Sequence, residues 1–94
     1  MVESNPSEPR VVLLSRADCC LCDEALAAVE EARRRVSFTL EVRDVDEDPD
    51  LAALYGEEVP VVLVDGRKAF KFRVDPGRLV RTLRGRRWFG LGRR

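Results

Sequence analysis

A chain of 94 residues, 45% hydrophobic and 36% charged, suits one domain with a modest core and a heavily solvated surface, and leaves no room for two. It contains no histidine, which excludes Cys–His and Ser–His nucleophilic machinery and the commonest transition-metal ligand. Net charge is zero but segregated: residues 1–65 hold 6 basic and 16 acidic side chains, residues 66–94 hold 11 basic ones and a single acid, Asp75.

Residues 1–9, with Pro6 and Pro9, read as a disordered lead-in. They are acidic and polar, unlike a secretory signal, and nothing later approaches the roughly 20 apolar residues of a membrane span. A cytoplasmic protein with no membrane partner is expected. The apolar run Val11–Leu14 predicts a strand buried on both faces. After a short loop over Ser15–Asp18, the positions of Cys22, Ala25, Leu26, Val29 and Ala32 predict a helix over 19–35. Phe38, Leu40 and Val42 then alternate with polar residues, as in a half-buried strand. A right-handed crossover would make it parallel to the first.

Asp48-Pro49 offers an N-cap and a first-turn proline for a short helix ending near Gly56. Val61–Val64 predicts the third strand and Asp65-Gly66 a two-residue hairpin. The fourth strand is expected to alternate Phe70, Phe72 and Val74 against Lys71 and Arg73. Asp75-Pro76 repeats the capping pattern, and the last helix, carrying Leu79, Val80 and Leu83, is expected to stop at Gly85. One domain over 10–85 is thus expected between the lead-in and a basic tail over 86–94. In that tail Trp88 and Phe89 are read as packing back on the domain, the alternative being a groove or bases to stack on. The simpler reading of the charge segregation is that the two halves attract each other; the other is a basic face for phosphate, nucleic acid or an acidic partner.

The chemistry sits in Cys19-Cys20-Leu21-Cys22, which holds all three cysteines. A stapled secreted domain would spread its cysteines, so the cluster points to redox chemistry or metal. Cysteine attacks a disulfide as thiolate, and a free thiol, with a pKa of about 8.5, supplies little of it near neutrality. The unpaired N–H groups and partial positive charge of a helix N-terminus favour the anion. Cys19 stands there, with Arg16 upstream as a further cation and Asp18, Asp23 and Glu24 opposing. Cys22, one turn on, would lie beside Cys19 and be the more buried of the two; Cys20 faces outward as a tolerated replacement. A mononuclear zinc site needs four ligands, and no second pair exists in the chain. A cluster bridged between chains stays open. For Val59-Pro60 the general scarcity of cis X–Pro bonds favours trans.

The stretch Arg10–Arg84 resembles the glutaredoxins of the thioredoxin superfamily, and most of all the short bacterial glutaredoxin-like proteins. It carries Cys19-Cys20-Leu21-Cys22-Asp23-Glu24-Ala25 and a later Val59-Pro60 before a hairpin. The resemblance implies an α/β thioredoxin/glutaredoxin fold, a four-stranded mixed sheet in the order β-α-β-α-β-β-α flanked by helices. It implies a cis Pro60 lying against the cysteine pair, with the Val59 backbone free to pair with an extended substrate. Cys19 then matches the nucleophile and Cys22 the resolving thiol. Arg16 matches a lysine near the glutathione carboxylate, and Asp75 the surviving acid of a pattern in which Asp follows Gly-Gly two residues later. Glu58 replaces the usual threonine before Val-Pro, and Phe72-Arg73 fill the glycine region. Bulk at Phe72 and Arg73 and the charges of Glu57 and Glu58 are therefore expected to work against glutathione.

The expected function is thiol–disulfide exchange through Cys19 and Cys22 on a disulfide-bearing protein or a glutathione mixed disulfide. No resident cofactor is expected, glutathione standing as a co-substrate. Neither a bound metal nor a nucleic-acid partner is expected, and the chain is read as a monomer. The alternatives are a binding module of the same fold that recruits a partner through the basic tail, and an iron–sulfur or metal carrier at Cys19.

Overall fold

The computed structural model describes the backbone of residues 8–92 and side chains as far as Gly85. Most of the lead-in, and the side chains of Trp88 and Phe89, lie outside the described residues. Four strands, β1 (Arg10–Ser15), β2 (Thr39–Asp44), β3 (Val61–Val64) and β4 (Arg67–Lys71), form one sheet in the order β2-β1-β3-β4. β1 runs parallel to β2 and antiparallel to β3, and β3 is antiparallel to β4. The helices are α1 (Cys20–Arg33), α2 (Pro49–Tyr55) and α3 (Pro76–Gly92), with a 3₁₀ turn at Val45–Glu47. This is a thioredoxin fold.

The sheet has two unequal sides. Val11 and Leu13 from β1, with Val62 and Val64 from β3, meet Ala25, Val29 and Ala32 of α1 and Leu79, Val80 and Leu83 of α3 in the main core. The opposite side is smaller: Leu14, Val45 and Val61 are buried, and Val12, Leu51, Tyr55 and Leu63 pack around them. The expected double-sided burial of β1 follows from this arrangement. Asp65 (φ 51°) and Gly66 (φ 87°) form the hairpin, their positive φ matching the right-handed twist of the flanking strands. The Asp48 carboxylate accepts from Asp50 N–H at 2.9 Å and caps α2.

Four details depart from the sequence reading. Pro9 belongs to the folded unit rather than the lead-in: it is buried, and its carbonyl accepts from Thr39 N–H at 3.0 Å. Val42 is 49% exposed, as its strand β2 lies at the edge of the sheet. β4 stops at Lys71, short of Phe72 and Val74. Its last pairing is Lys71 with Val61; the next residue of β3's chain is Pro60, which has no N–H to continue the ladder. Finally, the backbone of α3 runs through Gly85 to Gly92. One glycine costs a helix about 1 kcal/mol relative to alanine, and the arginines around it are good helix formers.

The charge reading is also revised. Arg10, Arg16, Arg33, Arg34, Arg35 and Arg43 all pair with acids of the same acidic half. Between the halves the described ion pairs are those of Glu58 with Lys68 and Lys71. Short sequence separations and shared helix faces make the local pairs, so the arginines of the acidic half are taken up from within it.

Candidate redox site

The site forms at one end of the sheet. β1 ends there at Ser15, β3 begins there opposite Leu14, and β4 ends there opposite Val61. The loop into α1, the Val59-Pro60 pair and Phe72 are thereby brought to the same edge. Asp18 turns the loop with φ 59°, a left-handed conformation that aspartate tolerates better than most residues. Cys19 then takes extended backbone angles and becomes the N-cap of α1.

Cys19 and Cys22 are joined as a disulfide, with Cα atoms 5.2 Å apart. The Cys22 backbone N–H donates to Cys19 Sγ at 3.1 Å and is shared with the Cys19 carbonyl oxygen at 3.2 Å, so a first-turn donor of the helix reaches this sulfur. Cys22 begins the buried stripe of α1 and is 6% exposed, whereas Cys19 is half-buried. Cys20 is a free, exposed thiol.

Val59–Pro60 is cis, as the resemblance implies. The Pro60 carbonyl accepts from Phe72 N–H at 2.8 Å. Among the described residues the Val59 backbone has no hydrogen-bond partner, and Val59's side chain packs on the smaller cluster. Glu58, just before it, receives Lys68 Nζ at 2.6 Å and lies 3.8 Å from Lys71 Nζ. That hydrogen bond from Lys68, with the charge of Lys68 and Lys71, holds the Glu58 carboxyl below its ordinary 4.5 despite an opposing loss of solvent.

Arg16 points elsewhere than a free cation would. Its Nε and Nη2 both reach Asp46 at 3.1 Å, and Nη1 donates to the Gly56 carbonyl at 3.0 Å. It thus ties the loop after β1 to the 3₁₀ turn and to the end of α2. Asp75 caps α3: its carboxylate accepts from Arg78 N–H at 2.8 Å and its carbonyl from Leu79 N–H at 2.9 Å. It also lines a cleft of about 320 Å³ between α1 and the β4–α3 connection, with Leu21, Glu24, Phe72, Arg73 and Arg78. Phe72 stands there at φ 69°, 44% exposed, with Lys71 Nζ 5.5 Å from its ring centroid.

Of the residues read from the sequence, Cys19 and Cys22 are bonded, Val59 and Pro60 share their end of the sheet, and Asp75 lines the neighbouring cleft. Asp46 and Gly56 were missed as Arg16's partners, since 30 and 40 residues separate them from it. Among the described residues no group of three or more His, Cys, Asp or Glu is set to hold a metal ion, and no helix is long and apolar enough to cross a membrane.

Residues 10–84 match the family model of the glutaredoxin-like domain (DUF836). The chain belongs to this glutaredoxin-like family. Uncharacterized proteins of Mycobacterium bovis and Mycobacterium tuberculosis are 37% identical over 78 residues, covering 78% of this chain and 80% of theirs. A solved structural-genomics target from X. campestris is 33% identical with a TM-score of 0.68, covering 80% of this chain and 96% of that one. Chloroplastic thioredoxin z, at 14% identity, superposes with a TM-score of 0.71 over 88% of this chain and 80% of its own, a likeness of fold alone. A thioredoxin-like fold that carries its Cys-x-x-Cys pair as a disulfide is consistent with a redox function.

Proposed function

We propose that this glutaredoxin-like protein is a thiol–disulfide oxidoreductase acting on protein or mixed disulfides, with Cys19 as nucleophile and Cys22 as resolving thiol. The observation that carries the reading is the disulfide at the start of α1, with the Cys22 N–H directed at Cys19 Sγ. In the reduced protein the same donor and the helix field would stabilise a Cys19 thiolate. That thiolate attacks one sulfur of the substrate disulfide. A new S–S bond forms to Cys19, and the other substrate sulfur leaves as thiolate.

Cys22, as thiolate, then attacks Cys19 Sγ. The Cys19–Cys22 bond forms and the second substrate thiol is released. The substrate has gained two electrons, the protein has lost two, and a thiol reductant returns it to the dithiol. The unpaired Val59 backbone would pair with an extended substrate, and Pro60 would keep that edge beside the cysteines. Asp75 serves as a wall of the adjoining cleft. Arg16 is assigned a positioning role, holding the loop that presents Cys19 rather than reaching substrate.

The test is the alkylation rate of each cysteine against pH, read by mass spectrometry on the reduced protein. Cys19 is expected to react well below the free-thiol pKa of about 8.5, with Cys22 slow. If all three cysteines react alike near that value, the activated-thiolate mechanism is wrong.

A further inference from the structure

Five exposed arginines of β4, α3 and the connection between them, namely Arg67, Arg73, Arg78, Arg81 and Arg84, have no ion-pair partner among the described residues. An exposed helix face is often charged, but it usually mixes signs, and the chain carries no acid after Asp75. The one acid in this stretch, Asp75, is committed to capping α3. Positive charge is therefore left over on this side of the molecule, and it begins at the redox site: Arg73 and Arg78 line the cleft that Leu21 of the cysteine motif also lines.

From Arg78 the stripe follows the outward side of α3. Leu79, Val80 and Leu83 face the core, which leaves Arg78, Arg81 and Arg84 turned away from it. At a helix rise of about 1.5 Å per residue, Arg78 and Arg84 are about 9 Å apart along the axis, the reach of roughly three residues of extended chain. The opposite wall of the cleft carries Glu24, with Asp23 nearby on the same helix. A ligand with negative charge is thus repelled from the α1 side and attracted to the α3 side, which gives it an orientation as well as a site.

We infer that the β4–α3 face is a docking surface for an acidic protein segment, which presents its disulfide to Cys19 while its carboxylates lie along Arg73, Arg78, Arg81 and Arg84. Phe72, exposed at the head of the stripe, supplies an apolar contact where the segment enters the cleft. The inference rests on the thiol–disulfide reading for its choice of occupant. A nucleic acid would match the charge, but it carries no disulfide to deliver to the cysteine pair at the end of the stripe. A protein segment supplies both.

The test has two parts on the full chain. First, fluorescence anisotropy is measured with a labelled, cysteine-free decapeptide rich in glutamate and with its glutamine counterpart. The glutamate peptide is expected to bind at low salt and to be released above roughly 0.5 M salt, where the screening length falls to a few ångström. The double variant R78Q/R81Q is expected to bind it about fivefold more weakly. Equal binding of the two peptides, no binding of either, or tighter binding of a single-stranded DNA of equal charge overturns the inference.

Second, kcat/KM is compared for two disulfide-bridged peptides that differ only in acidic or neutral flanks. A preference of about tenfold for the acidic one at low salt is expected, shrinking in R78Q/R81Q. Reduction without that preference refutes the docking surface and leaves the redox reading intact. Binding of the acidic peptide with no reduction of either disulfide refutes the redox reading and leaves the surface intact.

Discussion

Replacing Arg16 with methionine removes both of its connections while keeping most of its aliphatic stem, and Asp46→Asn, which removes one of them, tells the two apart. The Asp46 pair is bidentate, but the side chains are 38% and 53% exposed, so solvent screening leaves about 0.5 kcal/mol for it. The bond to the Gly56 carbonyl is different. Gly56 is buried, and a charge-assisted hydrogen bond of this kind contributes about 1.5–3 kcal/mol. Arg16→Met is therefore expected to cost about 2 kcal/mol, lowering Tm by about 10 °C in a domain of this size. Asp46→Asn removes only the ion pair and is expected to cost no more than about 1 kcal/mol. Urea unfolding followed by circular dichroism measures both. If Arg16→Met costs no more than Asp46→Asn, the carbonyl bond contributes nothing and the clamp is wrong. If stability is unchanged while KM rises for an anionic substrate alone, Arg16 serves binding instead.

Gly56→Ala would place a Cβ 2.6 Å from the Ala52 carbonyl oxygen and 2.9 Å from Arg16 Nη2. The backbone oxygen cannot yield cheaply, so a net loss of about 1–2 kcal/mol in unfolding free energy is expected, the usual helical gain of alanine notwithstanding. Glu58→Gln tests the lysine clamp through pH. Because the Glu58 carboxyl is held below its ordinary value by the Lys68 hydrogen bond and then by both lysine charges, its contribution is fully present above pH 4.5 and is lost as pH falls through the lowered value. The stability difference between native protein and Glu58→Gln, measured by chemical unfolding from pH 7 to pH 3, should accordingly shrink toward acid; a difference independent of pH contradicts this. Cys22→Ser should accumulate a mixed disulfide between Cys19 and a substrate thiol, visible by mass spectrometry, and Cys19→Ser should accumulate none at Cys22. The reverse pattern would exchange the roles of the two sulfurs.

The elements that the sequence announces are those written in local chemistry. Periodic apolar residues mark α1 and the central strands, and Asp48-Pro49, Asp65-Gly66 and Asp75-Pro76 each combine a side-chain acceptor or a positive φ with a residue suited to the next position. The placement of Cys19 at the start of a helix is likewise local. The cis state of Pro60 came through family resemblance, since neither Val59 nor Pro60 signals it by itself. The features that escaped depend on tertiary neighbours. The alternation of Phe70, Phe72 and Val74 reads as strand, yet β4 ends where Pro60 runs out of donors. The Arg16 clamp joins segments far apart in the chain. A weak local signal did exist for the 3₁₀ turn: Asp44 lies two residues before the Asp46 N–H that its carboxylate accepts, at 2.8 Å.

The unequal sides of the sheet set an order in which the molecule opens. α2 has no buried residue of its own, and its cluster is the smaller one, whereas α1 and α3 share the main core. Local unfolding follows the least buried apolar contact, so among the helices α2 is expected to exchange its amides with solvent before α1 and α3. Gly56 and the Val59 edge follow directly from that helix, and Arg16 ties it to the loop before Cys19. The Val59 edge therefore sits beside the smaller cluster, and α1, which carries Cys22, packs on the larger one.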